Sequence, residues 1–343
     1  MHALETLVSF PKVTLGAFPT PLEALARLTA ELNGPHVWVK RDDAVGPAMG
    51  GNKTRKLEYL FGQARAERAQ VVATFGGLQS NFARQMVAGA RGLGLEAHCF
   101  YFARRPMQLE GNLLLARLMG AHLHFVPFGG GDDGSLTIER ATQMVRLLAA
   151  VTPGCLGRRA VFMPVGGHTA VGALGYVSAA AELAGQLSAA GVEQATVVLA
   201  AGSGGTLAGL MAGFFLLGSR HQLLGIDVGK LWRGFPASIA ALASDVCRLL
   251  GRPHKFEPAD VPMIERTYVG AGYARTTPAS LAAIHRLAEL EGLLLDPVYT
   301  AKAMAGLLDL ASKGRWNRKE HVVFLHTGGT PALWAYKNSL LAA

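Results

Sequence analysis

Gly50-Gly51-Asn52-Lys53-Thr54-Arg55-Lys56-Leu57-Glu58 is the stretch whose reading decides the fold. Two glycines leave the backbone free to turn tightly, Asn52 is an N-cap residue type, and Leu57, Leu60 and Phe61 follow at helical spacing. A glycine turn thus hands over directly to an amphipathic helix, with Lys53 at its start. The positive end of a helix dipole opposes an ammonium there, which leaves two readings: a lysine pointing into solvent, or an amine whose pKa is lowered for use.

Working outward, Phe18-Pro19-Thr20-Pro21-Leu22 is a proline-stiffened entry to a short helix, and His36 to Lys40 reads as a strand. Beyond the turn the pattern predicts helix from Asn52 to about Ala69, strand Val71 to Phe75, and a loop Gly76 to Asn81 opening a helix to about Leu93. The rhythm continues with strand Ala97 to Phe102, helix Leu109 to Met119, strand His122 to Val126, helix Ser135 to Ala150 and strand Ala160 to Pro164. In the second half, helix Ala170 to Leu187 precedes Ala195 to Ala200, the clearest buried strand, which ends on Gly202-Ser203-Gly204-Gly205-Thr206 and helix Leu207 to Leu217. Strand Leu223 to Val228, helices from about Trp232 to Leu250, Pro278 to Glu291 and Thr300 to Ala311, strand Val322 to Leu325 and a last helix after Thr330 complete it. Strand alternating with helix means α/β architecture, mostly parallel sheets with helices on both faces.

A chain of 343 residues, half of them hydrophobic, is ample for a large core, and its length fits two domains. The net charge of +9 favours anionic ligands, but the basic residues are scattered. The densest run, Lys313 to Lys319, carries one Trp and no stacking ladder, so nucleic acid is not expected. Cys99, Cys155 and Cys247 have neither paired spacing nor metal-type spacing with histidine, so no disulfide framework and no metal is expected. Cys99 reads as a small core residue. Residues 1 to 10 lack the pattern of a signal peptide, and apolar runs such as Leu207 to Leu217 are too short to span a bilayer. The expectation is a cytoplasmic protein with no membrane partner.

Ligands of open parallel sheets bind beyond the carboxyl ends of the strands. At Gly202 to Thr206 the free N–H groups of a helix start, with the hydroxyls of Ser203 and Thr206, suit a phosphate dianion; a plain turn whose glycines allow close packing is the alternative. A dinucleotide fingerprint is excluded by the missing third glycine, and an NTPase P-loop by Asn52 between Gly51 and Lys53. Gln79, Ser80 and Asn81 at another helix start suit a carboxylate or phenolic oxygen, or simple capping by Ser80. A reactive lysine, a phosphate cup and a carboxylate cup on one sheet point to a phosphorylated aldehyde cofactor and an amino acid, hence pyridoxal 5'-phosphate.

With Asp296-Pro297-Val298-Tyr299-Thr300 and His326-Thr327-Gly328-Gly329, these motifs together resemble the D-cysteine desulfhydrase and 1-aminocyclopropane-1-carboxylate deaminase family over nearly the whole chain. The resemblance implies the tryptophan-synthase-β-like fold: two open, twisted, mostly parallel sheets flanked by helices, with a small domain (54–164) inserted in a large one (1–53 and 165–343), and a homodimer. It implies that Lys53 forms the Schiff base and shuttles the α-proton, and that Asn81 lies beside the ring oxygen of the cofactor. Ser80 is implied near the substrate carboxylate, Gly202, Ser203, Gly204, Gly205 and Thr206 around the phosphate, and Tyr273 and Tyr299 along the pocket. Thr327 is implied at the pyridine nitrogen, where a neutral partner makes the ring a weaker electron sink and favours elimination of a good β-leaving group.

Within the family, the ring-opening deaminases carry glutamate where this chain has Thr300, which places it with the desulfhydrase branch. The expected reaction is elimination from D-cysteine to pyruvate, ammonia and sulfide. L-cysteate sulfo-lyase, 1-aminocyclopropane-1-carboxylate deaminase and racemase activities are alternatives on the same scaffold, and a non-catalytic amino-acid or cofactor-binding protein is the alternative of a different class. The chain departs from the family pattern at Phe82 and at His168-Thr169. Phe82 reads either as helix packing or as a substrate-shaping residue, and His168 as a loop cap or a substrate contact. Gln79, Ser80, Asn81, Phe82, His168 and Thr300 are the expected substrate-binding set.

Overall fold

The computed structural model describes residues 2–126 and 137–342. Its larger sheet has the strand order β1 (Leu22–Ala24), β2 (His36–Lys40), β10 (His321–Leu325), β7 (Thr196–Ala201), β8 (Gln222–Asp227) and β9 (Met263–Ile264). Every pairing in it is parallel except β1 against β2. The period-two alternation of the strands builds two cores at once. Val197, Leu199, Val323 and Leu325 face helices α7 (Ala170–Ala189), α8 (Gly205–Leu217) and α9 (Phe235–Leu249). Val37, Val39, Val198, Val322 and Phe324 face α2 (Ala26–Leu32), α10 (Pro278–Glu291) and α11 (Thr300–Ser312).

The smaller sheet is wholly parallel, in the order β5 (His122–Phe125), β4 (Glu96–Tyr101), β3 (Val71–Gly76), β6 (Ala160–Phe162). Val72, Ala97, Cys99 and Tyr101 pack against α3 (Lys53–Ala66), α4 (Asn81–Gly92) and α5 (Gly111–Leu118). On the opposite face, Ala73, Phe75 and Phe100 pack under α6 (Ile138–Ala150). All four strands thus come from one continuous stretch of chain between Val71 and Phe162. Helix α3 serves both bodies, because Leu57, Leu60 and Phe61 enter the core of the smaller sheet while Tyr59 enters that of the larger.

Several sequence expectations shift. The α9 helix starts at Phe235, not near Trp232, since Gly234 is left-handed (φ 64°) and a proline occupies the first turn. The last helix is split at Tyr336 into α12 (Ala332–Ala335) and α13 (Lys337–Leu341). The short strand β1 and the N-terminal α1 (His2–Val8) carried no pattern that announced them. Ser135 and Leu136, the expected start of α6, lie outside the described residues. Cys99 is a fully buried core residue, as read.

Candidate active site

Lys53 is the first residue of α3, and the turn before it is unusual. Ala48, Met49, Gly50 and Gly51 are consecutive residues with positive φ (50°, 64°, 54° and 129°), a run that L-residues adopt only when other contacts hold it. The holder is Arg84 of α4, fully buried, whose guanidinium donates to the carbonyls of Ala48 and Gly50. The Gly51 N–H donates to Val45 O (2.8 Å) and the Asn52 N–H to Thr327 O (3.1 Å), tying the turn to the segment that follows β10. Asn52 does not cap α3. Its backbone is helical and its side-chain amide instead donates to Thr206 Oγ1 (3.1 Å).

The amine of Lys53 opens into a cavity of about 220 Å³ between the carboxyl ends of β3 and β7. Burial lowers its pKa to about 8, with the charge of Asp296 opposing that shift only in part. The surface-lysine reading is therefore set aside, and burial is the larger cause of the shift.

The loop between β3 and α4 supplies the second wall. Ser80 caps α4, accepting from the Ala83 N–H at 3.2 Å, and also lines the cavity. Asn81 lines the cavity with its Oδ1 held by Asn112 Nδ2 (2.7 Å). Gln79 is a correction: its side chain turns away, donating to Glu110 O and accepting from the Asn112 N–H, and it orients the asparagine that orients Asn81. Phe82 is nearly fully buried; its ring belongs to the core of the smaller sheet and also lines the cavity.

At the third wall, Gly204 ends the turn at φ 78° and α8 begins without a side-chain cap, leaving its first N–H groups for an anion. Gly202 and Ser203 line the cavity, with Gly205 and Thr206 forming the first turn behind them. A Cβ on Gly204 would lie 2.4 Å from Ile239, and one on Gly205 would lie 2.8 Å from Lys56 Nζ. Lys56, fully buried, donates to Gly166 O (3.0 Å) and makes no ion pair among the described residues. Burial, then the neighbouring Lys53, lowers its pKa well below that of a free lysine. An uncapped helix start beside an unbalanced buried lysine fits a phosphate dianion, so this wall accommodates the cofactor that the sequence implied.

Opposite stand Tyr273 and Tyr299, their hydroxyls hydrogen-bonded to each other, with Thr327 beside them. Burial and then the Tyr273 neighbour push the Tyr299 phenol well above its ordinary range. Thr300 is a second correction. It is fully buried outside the cavity, and its Oγ1 bonds Asp296 Oδ1 (2.8 Å). Asp296 also accepts from the N–H groups of Val298, Tyr299 and Thr300, so it fixes the backbone that presents Tyr299. His168 is a third: it lies behind the phosphate turn, its Nε2 paired with Ser238 Oγ at 3.1 Å, and burial lowers its pKa to about 4.

Sequence reasoning missed Lys56, Arg84, Asn112, Asp296 and Trp232, whose indole donates to Gly202 O (3.0 Å). Three basic residues among the first four places of a helix (Lys53, Arg55, Lys56) were the available signal, since the dipole opposes all three. Phe75, Phe82, Phe102, Val165 and Leu231 make the remaining lining apolar. Such a cavity holds an amine of lowered pKa, exchangeable phenol and hydroxyl protons, and an anion cup away from bulk water, the requirements for moving a proton at a carbon next to an amine.

Residues 13–328 match the family model described as "Pyridoxal-phosphate dependent enzyme". The chain is 40% identical over 341 residues to a D-cysteine desulfhydrase of Klebsiella pneumoniae (strain 342), covering 97% of this chain and 98% of the relative. It is 39% identical over 340 residues to a D-cysteine desulfhydrase of Salmonella schwarzengrund, with the same coverage. A solved structure described as an ACC deaminase homologue superposes with a TM-score of 0.87 at 34% identity, covering 99% of this chain and 98% of that one.

Proposed function

Because the chain belongs to the pyridoxal-phosphate dependent enzyme family, we propose that it is a lyase that removes the β-substituent of a small amino acid, D-cysteine first. One D-cysteine and one water give one pyruvate, one ammonia and one hydrogen sulfide. When bound, pyridoxal phosphate supplies an aldehyde that condenses with amines and a ring that withdraws charge from the amino acid's α-carbon. The rest falls to the chain. Lys53 holds the cofactor as an amine and then takes the α-proton, for which a pKa near neutrality suits it. The N–H groups from Gly202 to Thr206 and the ammonium of Lys56 hold the phosphate. Ser80 and Asn81 receive the substrate carboxylate, and the Tyr273–Tyr299 pair delivers a proton to the departing sulfur.

The single observation that carries this reading is the convergence of Lys53, Ser80, Tyr273 and Tyr299 on one cavity closed by an uncapped glycine turn. The preference for D-cysteine rests on the full-length relatives of that name. Homodimerisation rests on the family resemblance. The division into a small domain (54–164) and a large one is supported by the contiguity of the four-stranded sheet.

The test is a substrate panel of D-cysteine, L-cysteine, L-cysteate, β-chloroalanine and 1-aminocyclopropane-1-carboxylate, read by keto-acid and sulfide release. Equimolar pyruvate and sulfide from D-cysteine, lost in Lys53→Ala together with the visible cofactor band, is the expected result. Keto acid from another substrate alone moves the assignment to that activity; no keto acid from any of them makes the chain a binder.

A further inference from the structure

A second constellation lies at the opposite end of the smaller sheet. Strands β4 and β5 pair in parallel with His98 beside His122 and Phe100 beside His124. The period of two therefore sets Glu96, His98, His122 and His124 on one face, while Ala97 and Cys99 enter the apolar core on the other. Ligand atoms of Glu96, His98 and His122 all lie within 4.8 Å of one another. Glu96 Oε1 is 3.0 Å from His98 Nε2 and 3.1 Å from His122 Nε2. In a tetrahedral zinc site, ligand atoms about 2.1 Å from the metal stand about 3.4 Å apart, so only small side-chain movements separate this cluster from a coordination set.

We propose that Glu96, His98 and His122 bind a divalent transition-metal ion, with zinc as the reference ion.

Three further observations support the site. His98 Nδ1 is 2.9 Å from His124 Nε2, so the outer ring nitrogen has a partner that fixes the ring and leaves Nε2 toward the metal, as in metal sites generally. Arg158 pairs with Glu96 Oε2, keeping the carboxylate ionised and its other oxygen directed at the histidines. Finally, Gly154 covers the cluster with bare backbone. A Cβ there would stand 2.7 Å from His98 Nε2 and 3.2 Å from Glu96 Oε1, inside the space between the ligands.

Two imidazoles and one carboxylate are a borderline donor set suited to zinc and its first-row neighbours, with His122, 53% exposed, leaving a side of the site open to water. Bound metal would join the edge strand β5 to β4. Cysteine spacing gave no hint of it, because the ligands come from two strands and meet only through their register.

The experiment is titration of the cofactor-loaded enzyme with Zn²⁺ against a chromophoric chelator. Wild type should bind one equivalent saturably. His122→Ala removes an exposed ligand, and Gly154→Ala fills the space with every ligand present at a position without left-handed strain; each should weaken binding at least about tenfold. His36→Ala, at the separate His36–His321 pair, should change nothing. Absence of saturable binding, or affinity unchanged in both His122→Ala and His122→Asn, overturns the proposal, as does loss of the site in His36→Ala.

Discussion

Replacing Lys56 by methionine separates the electrostatic needs of the empty and the loaded protein. The side chain is fully buried, its ammonium meets one carbonyl, and it stands against the first turn of α8. In the empty protein a buried lysine without a carboxylate partner is a cost whether it keeps or sheds its proton, so replacing it at nearly constant volume should leave stability unchanged or raise it. On the proposed function, the same ammonium faces a phosphate dianion in the loaded protein. A charge-assisted hydrogen bond contributes about 1.5–3 kcal/mol, so Lys56→Met should weaken pyridoxal phosphate binding by about 10- to 150-fold. Because burial holds the free Lys56 below its ordinary pKa, phosphate binding also draws a proton onto it. The assay is equilibrium titration of apoenzyme with pyridoxal phosphate and with pyridoxal, alongside thermal melts of the apo forms. Equal loss for both ligands, or a marked fall in apo stability, would refute the assignment of Lys56 to the phosphate.

Other outcomes follow from the same geometry. Arg55 is 3% exposed, pairs with Asp42 and Glu182 and stacks on Phe18, and Arg55→Met should destabilise the protein by about 3–5 kcal/mol, with Asp42→Asn/Arg55→Met recovering part of the loss in chemical denaturation. Burial pushes Asp42 and Glu182 upward, but Arg55 and its neighbours bring both below the ordinary carboxylate range. Their stabilisation is full above that range and drains away as pH falls through the lowered folded values, so the variant should show a flatter acid limb. The rate at which apoenzyme recaptures pyridoxal phosphate should rise with the neutral fraction of Lys53 and level off above pH about 8; a rise continuing past pH 10 would mark a solvated amine. Gly204→Ala puts a side chain at φ 78° and against Ile239, and should lower cofactor affinity at least about tenfold in the same titration. Tyr273→Phe should cut turnover by about 10²–10⁴ with the visible cofactor band intact; loss of the band instead would make Tyr273 a binding residue.

The fold was legible because strand and helix periods differ cleanly along the chain. The run Pro278–Glu291 falls on its expected residues, with Thr277 and Ser280 capping each other at its start. Glycine turns between strand and helix marked the loops that meet at the cavity, and Lys53, Ser80, Asn81, Ser203, Tyr273, Tyr299 and Thr327 all come to it. What resisted was side-chain direction within a loop. Gln79 and Ser80 are neighbours, yet one turns to Glu110 and the other to the cavity, a difference set by Asn112, some thirty residues away. Thr300 likewise spends its hydroxyl on Asp296 rather than on the cavity, and bears on the site only by holding the Tyr299 backbone. Asn52 has the residue type of a cap, but its partner Thr206 arrives from the far half of the chain. Such choices are made by tertiary neighbours, and no local period encodes them.

The first turn of α3 carries three cations pointed three ways. Arg55 is answered by carboxylates of the protein, Lys53 by burial that loosens its proton, and Lys56 by one carbonyl and the Tyr176 ring but by no carboxylate among the described residues. The fold is therefore finished, electrically, by a molecule that has to be delivered to it. A freshly synthesised copy and a loaded copy differ in resistance to unfolding by RT ln(1 + [L]/Kd), so in a starved cell unloaded copies are the ones that proteases meet first. Vitamin supply then sets how long each copy of this protein survives as well as how fast it works.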